Sequence, residues 1–318
     1  MPHADAAACV DAVVTACPDL PFWPTRPLAV PDEGMIRQWA LDLPGVGEGA
    51  TGEGGARAGK AALAWVGRDR AGGGPGLPAG AVGTLGPFLR ALGPRPAGWL
   101  KLQATGPVTL ALALDAGGRE AITVPAARGP LALGYAARLR SLVTRVREAL
   151  PAWKVVLVLD EPSLDSPLVA ARPQLALELW RSLGASGADV TGLHCCTTPP
   201  WGLILDLAPQ LVSFDAVRDG DAATDDPAFR RLVEAGAAVA WGLVPTSGPL
   251  DGLDADTLAD RLLDLVEWTA GDYLPEVLAR SMVTPACGLA ATSEAEAGRR
   301  LALAASVGPH AWSLADLP

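Results

Sequence analysis

From about residue 98 onward the chain returns six times to one arrangement, in which a short apolar run ends in polar residues and is followed by a helical pattern. Strands that alternate with helices form parallel sheets, and strands that are apolar throughout are buried on both faces. The sequence therefore predicts an α/β fold of the (β/α)8 TIM-barrel type. The six runs are WLKLQATGP (99–107), VVLVLDEP (155–162), VTGLHCC (190–196), LVSFDA (211–216), AVAWGLVP (238–245) and SMVTPACG (281–288).

A complete barrel needs two strands more than these six. LPFWPTRP (20–27) is a candidate seventh strand, and an eighth would have to lie at or before Met1. We therefore expect the first strand to be missing or truncated. A chain of 318 residues suits one large barrel, so we predict a single domain over 1–318. Gly-rich stretches predict an excursion near 44–80, with a β-hairpin around 61–67.

Composition and charge exclude several classes of function. The formal net charge is −10 and Arg is scattered, so a nucleic-acid surface with clustered Lys and Arg is not expected. No apolar stretch is long enough to span a bilayer, and the N-terminus lacks the basic region of a signal peptide. Five cysteines in a chain of this length do not form a disulfide framework. We expect a cytoplasmic protein that uses Cys and His for metal binding.

Polar residues gather at the carboxyl ends of five of the predicted strands. The active site of such barrels lies on that face, so these residues are expected to meet there. Several strands that deliver functional groups to one end are a stronger signal than any single motif. The residues are Gln103, Thr105, Asp160, Glu161, His194, Cys196, Asp215 and Cys287.

His194 and Cys196 are two apart on a strand and therefore share a face, whereas Cys195 points toward the helices. The alternative for this pair is a core histidine beside a buried thiol. Cys287, in a turn after a later strand, favours a zinc site of mixed nitrogen and sulfur ligands. Asp215 is the natural fourth ligand, although it could instead cap the next helix or position another group.

Asp160 and Glu161 follow a fully apolar strand, where packing does not need charge. We predict that Asp160 faces the substrate and binds a cation such as an amino group. Glu161 is a candidate substrate contact, or else a cap or the partner of a basic residue. Gln103 and Thr105 are further candidate substrate contacts, because they lie at the carboxyl end of their predicted strand. Trp241 lies within an apolar strand, where packing and a wall of the substrate site are both open.

Five segments together resemble the catalytic domain of the cobalamin-independent methionine synthases, within the superfamily of uroporphyrinogen decarboxylases and corrinoid-dependent methyltransferases. They occur in that family's order between about residues 98 and 289. The opening residues 2–27 also resemble short, stand-alone members. The five segments are LQATGPVTLA (102–111), LDEPSL (159–164), HCC (194–196), VSFDA (212–216) and TPACGL (284–289).

The resemblance implies a zinc ion held by His194, Cys196, Asp215 and Cys287, with Asp160 on the amino group of homocysteine. The family's acid is usually Glu, and Asp215 is one methylene shorter. The folate-using members carry a second, N-terminal barrel for which this chain has no room. The family's barrel also begins with a Gly-Ser strand that touches substrate, and Met1-Pro2-His3 stands where that strand would end.

The leading hypothesis is therefore a zinc-dependent methyltransferase that acts on a thiol, homocysteine, to give methionine. Asp160, His194 and Cys196 are its candidate catalytic residues. With no folate-binding half, the expected donor is a methylated corrinoid, either free methylcobalamin or bound to a partner protein. Two alternatives remain: a lyase similar to uroporphyrinogen decarboxylase, whose chemistry would leave Cys196 and Cys287 without a purpose, and a barrel that binds zinc or a thiol without turnover.

Overall fold

The architecture comes from a computed structural model, which describes residues 1–48, 63–65, 76–271 and 274–315. Its centre is a curled sheet of six parallel strands, arranged in the order in which they occur in the chain. A separate antiparallel pair precedes it. The strands are β1 (Val46–Glu48), β2 (Leu63–Trp65), β3 (Trp99–Thr105), β4 (Lys154–Asp160), β5 (Val190–Cys195), β6 (Leu211–Phe214), β7 (Ala238–Val244) and β8 (Ser281–Pro285).

Helices connect consecutive strands of the sheet and cover its outer face. Several begin at a residue whose side chain caps the first turn, for example Asp254 and Ser293. No helix within the described residues is long and apolar enough to cross a membrane. The helices are α1 (Ala6–Ala16), α2 (Met35–Ala40), α3 (Leu85–Leu92), α4 (Pro107–Ala113), α5 (Pro125–Ala149), α6 (Pro167–Ala171), α7 (Pro173–Ser182), α8 (Trp201–Leu207), α9 (Ala216–Asp225), α10 (Pro227–Glu234), α11 (Ala255–Ala270), α12 (Leu274–Leu278) and α13 (Glu294–Leu314).

The six predicted runs each contain or overlap one of β3 to β8, so the α/β class and the parallel sheet are confirmed. The predicted seventh strand at 20–27 forms one parallel bridge, between Phe22 and Lys101. Pro21, Pro24 and Pro27 have no N–H to donate, and therefore the ladder does not continue. The described residues thus form a six-stranded open sheet with one bridged segment beside β3, and they do not form a closed barrel.

The Gly-rich excursion is described only in part. β1 pairs antiparallel with β2, from Val46 opposite Trp65 to Glu48 opposite Leu63. The second strand therefore lies inside the predicted hairpin region 61–67, and its partner lies further upstream than expected. The remainder of the excursion, 49–62 and 66–75, lies outside the described residues.

The two faces of the sheet carry different side chains. The outer face packs on the helices, and it includes Leu157, Leu193 and Phe214 in the main core. The opposite face, called the inner face below, has a small apolar cluster toward the amino ends of the strands, formed by Val156, Val158, Leu211 and Ala240. Because side chains alternate along a strand, the residues two places further on face the same way. The polar residues that follow on β4, β5 and β6 therefore occupy the carboxyl end of the inner face.

Candidate metal centre

The strand register places the polar residues of the inner face side by side. Asp160 pairs with His194 across β4 and β5, and His194 pairs with Ser213 across β5 and β6. Neighbouring strands lie only about 4.8 Å apart, so side chains that share a face at paired positions are in reach of one another. The register alone thus builds a continuous polar row from β4 to β6.

Three ligand-type residues converge at this row. Within the described part of the chain, one ligand atom each from His194, Cys196 and Cys287 lies within 4.8 Å of the others. Zinc–sulfur bonds of about 2.3 Å in a tetrahedral centre put ligand atoms about 3.8 Å apart, so the group has the size that zinc requires. One nitrogen and two sulfurs are also a ligand set typical of zinc. These residues, predicted from the H-x-C spacing and the later Pro-Ala-Cys turn, are brought together by the fold.

The imidazole of His194 is oriented by a hydrogen bond behind it. Its Nδ1 lies 2.9 Å from the Ser213 hydroxyl oxygen, and both residues are buried. In the tautomer that carries its proton on Nδ1, the serine hydroxyl accepts from Nδ1–H and Nε2 keeps a free lone pair. Metal-bound histidines commonly donate their other ring N–H in this way. In that tautomer Nε2 is the ring nitrogen available to a metal ion.

Each of the two thiols of the group changes the pKa of the other. A hydrogen bond from Cys196, with a second contribution from His194, lowers the pKa of the Cys287 thiol to about 4. The same bond to Cys287, together with burial, raises the pKa of Cys196. Cys195 points the other way, as predicted, and is fully buried in the main core. Cys287 is exposed and Cys196 is half-buried, so the sulfur pair is open to solvent on one side.

Asp215 takes the capping role that its position also allowed. It is the N-cap of α9, and its Oδ1 accepts a bond from the Arg218 N–H at 3.2 Å. The carboxylate is not one of the three-ligand group found within the described residues. Arg218 in turn donates to the Cys196 carbonyl oxygen at 3.2 Å and pairs with Asp219. Asp215 thus lies beside the centre, and its ligation of a metal stays a prediction.

Asp160 is held by a neighbour on β3. The Gln103 side-chain nitrogen donates to both Asp160 carboxylate oxygens, at 2.8 and 2.7 Å. The Gln103 oxygen accepts from the Lys101 ammonium at 2.8 Å. Burial raises the pKa of Asp160, while His194, Lys101 and Gln103 oppose that change. Both ends of the Gln103 amide are therefore occupied by protein partners. A direct contact of Gln103 with substrate stays a prediction.

Glu161 is a helix cap. Its two oxygens accept hydrogen bonds from the backbone N–H groups of Val108 and Thr109 at 2.9 and 2.7 Å, at the start of α4. The side chain has no exposed surface. Burial raises its pKa to about 7, and the bonds from Thr109 and Val108 act against that rise. Of the two alternatives predicted for Glu161, the structure describes the cap, because both oxygens are bonded to backbone N–H groups and covered.

The Thr105 hydroxyl has a partner within the protein, and Trp241 takes the packing alternative of its two predicted roles. The Thr105 hydroxyl donates to the Met35 carbonyl and fastens α2 to the end of β3. Trp241 lies on the outer face, fully buried, with its ring centroid 5.6 Å from that of Phe214 and 5.8 Å from that of Phe229. Alternation along β7 turns it toward the helices, and so it packs in the core instead of forming a wall of the site. Of the predicted substrate contacts, Asp160 retains free acceptor capacity.

Two further polar residues of the inner face, Ser213 and Lys101, are not among the predicted site residues. Ser213 is a polar residue two places before Asp215 in an otherwise apolar strand, and the period of two puts it on the inner face. Lys101 is a charged residue between two leucines of β3, and the same period puts it in line with Gln103. Each is a polar residue within an apolar run, at a position that faces the inner side of the sheet. That pattern could have identified both residues as part of the site.

Comparison with known proteins adds evidence on the fold. No protein-family model and no curated protein matches the sequence. A B12-independent methionine synthase from Shewanella sp. W3-18-1, solved in complex with selenomethionine, matches in structure with a TM-score of 0.50 at 15% identity, over 72% of this chain and 66% of that one. A methyltransferase from Methanosarcina mazei matches with a TM-score of 0.48 at 15% identity, over 74% of this chain and 65% of that one.

The first of these likenesses bears on the fold alone. At 15% identity, the first match shows that the sheet and its helices are arranged as in a methionine synthase. The chain spans less than two thirds of the length of either matched protein. The TIM-type expectation is supported at the level of a curled parallel sheet of six strands.

The serine behind His194 provides a first prediction. Ser213→Ala removes the partner of Nδ1 and is expected to lower zinc affinity about 10- to 100-fold, since such outer partners orient the ligand. Ser281→Ala is the matched control, because it removes the acceptor of the Trp241 ring N–H on a neighbouring strand without touching the centre. Zinc affinities are measured by competition with a chromogenic chelator. Equal affinities in the wild type and Ser213→Ala would show that the serine does not orient a ligand.

Proposed function

We propose that this protein is a zinc-dependent methyltransferase that transfers a methyl group to a thiol, with homocysteine as acceptor and a methylcorrinoid as donor. The observation that carries the proposal is the convergence of one imidazole and two thiol groups beside the Asp160 carboxylate. The resemblance of the same segments to the methionine synthase family agrees with it. The fold shared with a methionine synthase is compatible with the proposal but does not establish an activity.

His194, Cys196 and Cys287 would hold the zinc ion, with Asp215 as the proposed fourth protein group. When bound, zinc lowers the pKa of a substrate thiol and keeps its sulfur as the nucleophilic thiolate at neutral pH. Two cysteine thiolates on the metal suit alkyl transfer to sulfur better than activation of water, which more often uses His and carboxylate ligands. The donor set therefore favours thiol chemistry.

Asp160 would bind the amino group of homocysteine. Its side chain is half-buried, it neighbours His194 in the strand register, and its carboxylate keeps lone pairs beyond those that Gln103 uses. A carboxylate held in this way fixes the amino end of the substrate, so the thiol at the other end is directed to the exposed sulfur pair. Orientation of this kind reduces the entropic cost of bringing the sulfur and the methyl group together.

The test of the proposal is a methyl-transfer assay. Zinc-loaded protein is incubated with methylcobalamin and homocysteine, and methionine is measured. We expect methionine formation that disappears when zinc is removed with a chelator and returns when zinc is added. Zinc-loaded protein that transfers no methyl group to any thiol from methylcobalamin would contradict the proposal and favour a barrel that binds zinc without turnover.

Asp160→Asn provides a second prediction. The substitution keeps the shape and removes the charge, so the KM for homocysteine is expected to rise about 10- to 100-fold with a smaller change in kcat. Asp206→Asn, which changes an exposed carboxylate on α8, is the control and should leave both constants unchanged. Steady-state kinetics with varied homocysteine measure the effect. An unchanged KM in Asp160→Asn would remove the residue from substrate binding.

A further inference from the structure

The cationic side chain of Lys101 belongs neither to the group of possible metal ligands nor to the proposed substrate contacts. Lys101 lies near the middle of β3, partly buried, two residues before Gln103. Burial lowers the pKa of its ammonium group, and Asp160 and Cys17 oppose that change. A lysine is seldom placed in such surroundings unless it is paired. Its environment therefore needs an explanation beyond packing.

Lys101 is the first member of a hydrogen-bonded chain that ends at Asp160. Its ammonium has only donors, so it must meet the oxygen end of the Gln103 amide, at 2.8 Å. The nitrogen end of the same amide then faces both carboxylate oxygens of Asp160. The Lys101 ammonium and the Asp160 carboxylate therefore favour the same orientation of the Gln103 amide. Polar chains with a charge at each end strengthen their members, which fixes the carboxylate in position.

Removal of the ammonium would break this chain at its far end. The Gln103 oxygen would lose its partner within the protein, and a polar atom left without a partner away from solvent is costly. The amide would then turn toward water and leave Asp160. Loss of the Lys101 ammonium would in this way change the position of the Asp160 carboxylate, although Lys101 does not contact Asp160 directly.

Lys101 is also the point at which the N-terminal segment joins the sheet. Its backbone N–H donates to the Pro21 carbonyl, and its carbonyl accepts from the Trp23 N–H, both at 2.9 Å. The ammonium lies 6.0 Å from the centroid of the Phe22 ring, within cation–π range. The neighbouring segment thus fixes the backbone at Lys101 and places the Phe22 ring beside its ammonium group.

We propose that Lys101 is a positioning residue, which acts through Gln103 to hold the Asp160 carboxylate in the orientation that receives the amino group of the acceptor thiol. The inference rests on the proposed function, because it takes an amine-bearing thiol as the substrate. Lys101 touches neither the substrate nor the metal, yet on this proposal it sets the preference of the site for a thiol that carries an amino group over one that does not.

The experiment compares the affinities of two thiols. The zinc-loaded full chain is titrated calorimetrically with L-homocysteine and with 4-mercaptobutanoate, which lacks only the amino group. The wild type is expected to favour homocysteine. Lys101→Met, which keeps most of the length of the side chain and removes its charge, is expected to reduce that preference about tenfold, through weaker binding of homocysteine alone.

Lys154→Met is the matched control. Lys154 is also a lysine on the adjacent strand, and its ammonium lies 5.0 Å from the Trp99 ring centroid, but it is exposed. It should keep the wild-type preference. Gln103→Glu is a second variant, should Lys101→Met fail to fold. It keeps an acceptor for Lys101, removes the donor to Asp160, and is expected to lose the preference as well.

Two results would overturn the inference alone. The first is a folded Lys101→Met or Gln103→Glu protein that keeps the wild-type preference for homocysteine. The second is a variant that binds both thiols more weakly by the same factor, which is the result of a purely structural role. A wild-type protein that binds neither thiol would overturn the proposed function, and this inference with it.

Discussion

Cys287→Ser is expected to lower the zinc affinity of the protein by at least about 100-fold, because it removes a ligand, whereas loss of an outer partner costs about 10- to 100-fold. A serine hydroxyl is a far poorer zinc ligand than a thiolate, and the remaining two residues do not complete a centre. Zinc-dependent methyl transfer should fall with the metal content. Elemental analysis of freshly purified, reduced protein measures the first effect directly.

The control for this variant is a thiol outside the proposed centre. Cys17→Ser changes a cysteine at the end of α1 that does not belong to the three-ligand group. It should retain about one zinc ion per chain, as the wild type does. If Cys287→Ser also kept its zinc, Cys287 would not be a ligand, and the proposed centre would have to be built from other groups.

Gly106→Ala is expected to reduce the free energy of unfolding by about 3 kcal/mol or more, by overpacking and by loss of bonds to a buried carboxylate. A methyl group at Gly106 would overlap the Glu161 side chain. That carboxylate cannot move aside without breaking its bonds to Val108 and Thr109. Urea denaturation measures the loss.

Gly298→Ala is the matched control. Gly298 lies within α13, and nothing stands within 4 Å of the position that its new methyl group would take. A glycine-to-alanine change inside a helix usually stabilises, by about 0.5 to 1 kcal/mol. If the free energy of unfolding of Gly106→Ala lay within about 1 kcal/mol of the wild-type value, the Glu161 cap would not have the structural importance assigned to it.

The fold and part of the site could be predicted because they depend on local periodicity. The period of two along a strand put His194 and Cys196 on one face and Cys195 on the other, which the structure confirms. The succession of apolar runs and helices gave all six strands of the sheet. The meeting of Cys287 with His194 and Cys196 followed from the rule that parallel strands carry their functional groups at one end.

The roles of individual carboxylates could not be predicted in the same way. Glu161 and Asp215 both follow a strand directly, as a catalytic acid would, yet each caps a helix. Whether a carboxylate meets a backbone N–H or a ligand depends on the path of the following loop, and sequence periodicity does not encode that path. The predicted seventh strand forms only one bridge among the described residues, between Phe22 and Lys101. Pro21 and Pro24 keep an extended backbone, but they have no N–H to donate to a ladder of hydrogen bonds.

Binding of the acceptor thiol at the metal is the central claim, and zinc X-ray absorption spectroscopy tests it most directly. Spectra of the zinc-loaded protein are recorded alone and with saturating homocysteine. We predict two sulfur ligands in the protein alone, from Cys196 and Cys287, and a third sulfur once homocysteine is bound. A sulfur count that stays at two with homocysteine present would contradict activation of the thiol at this centre.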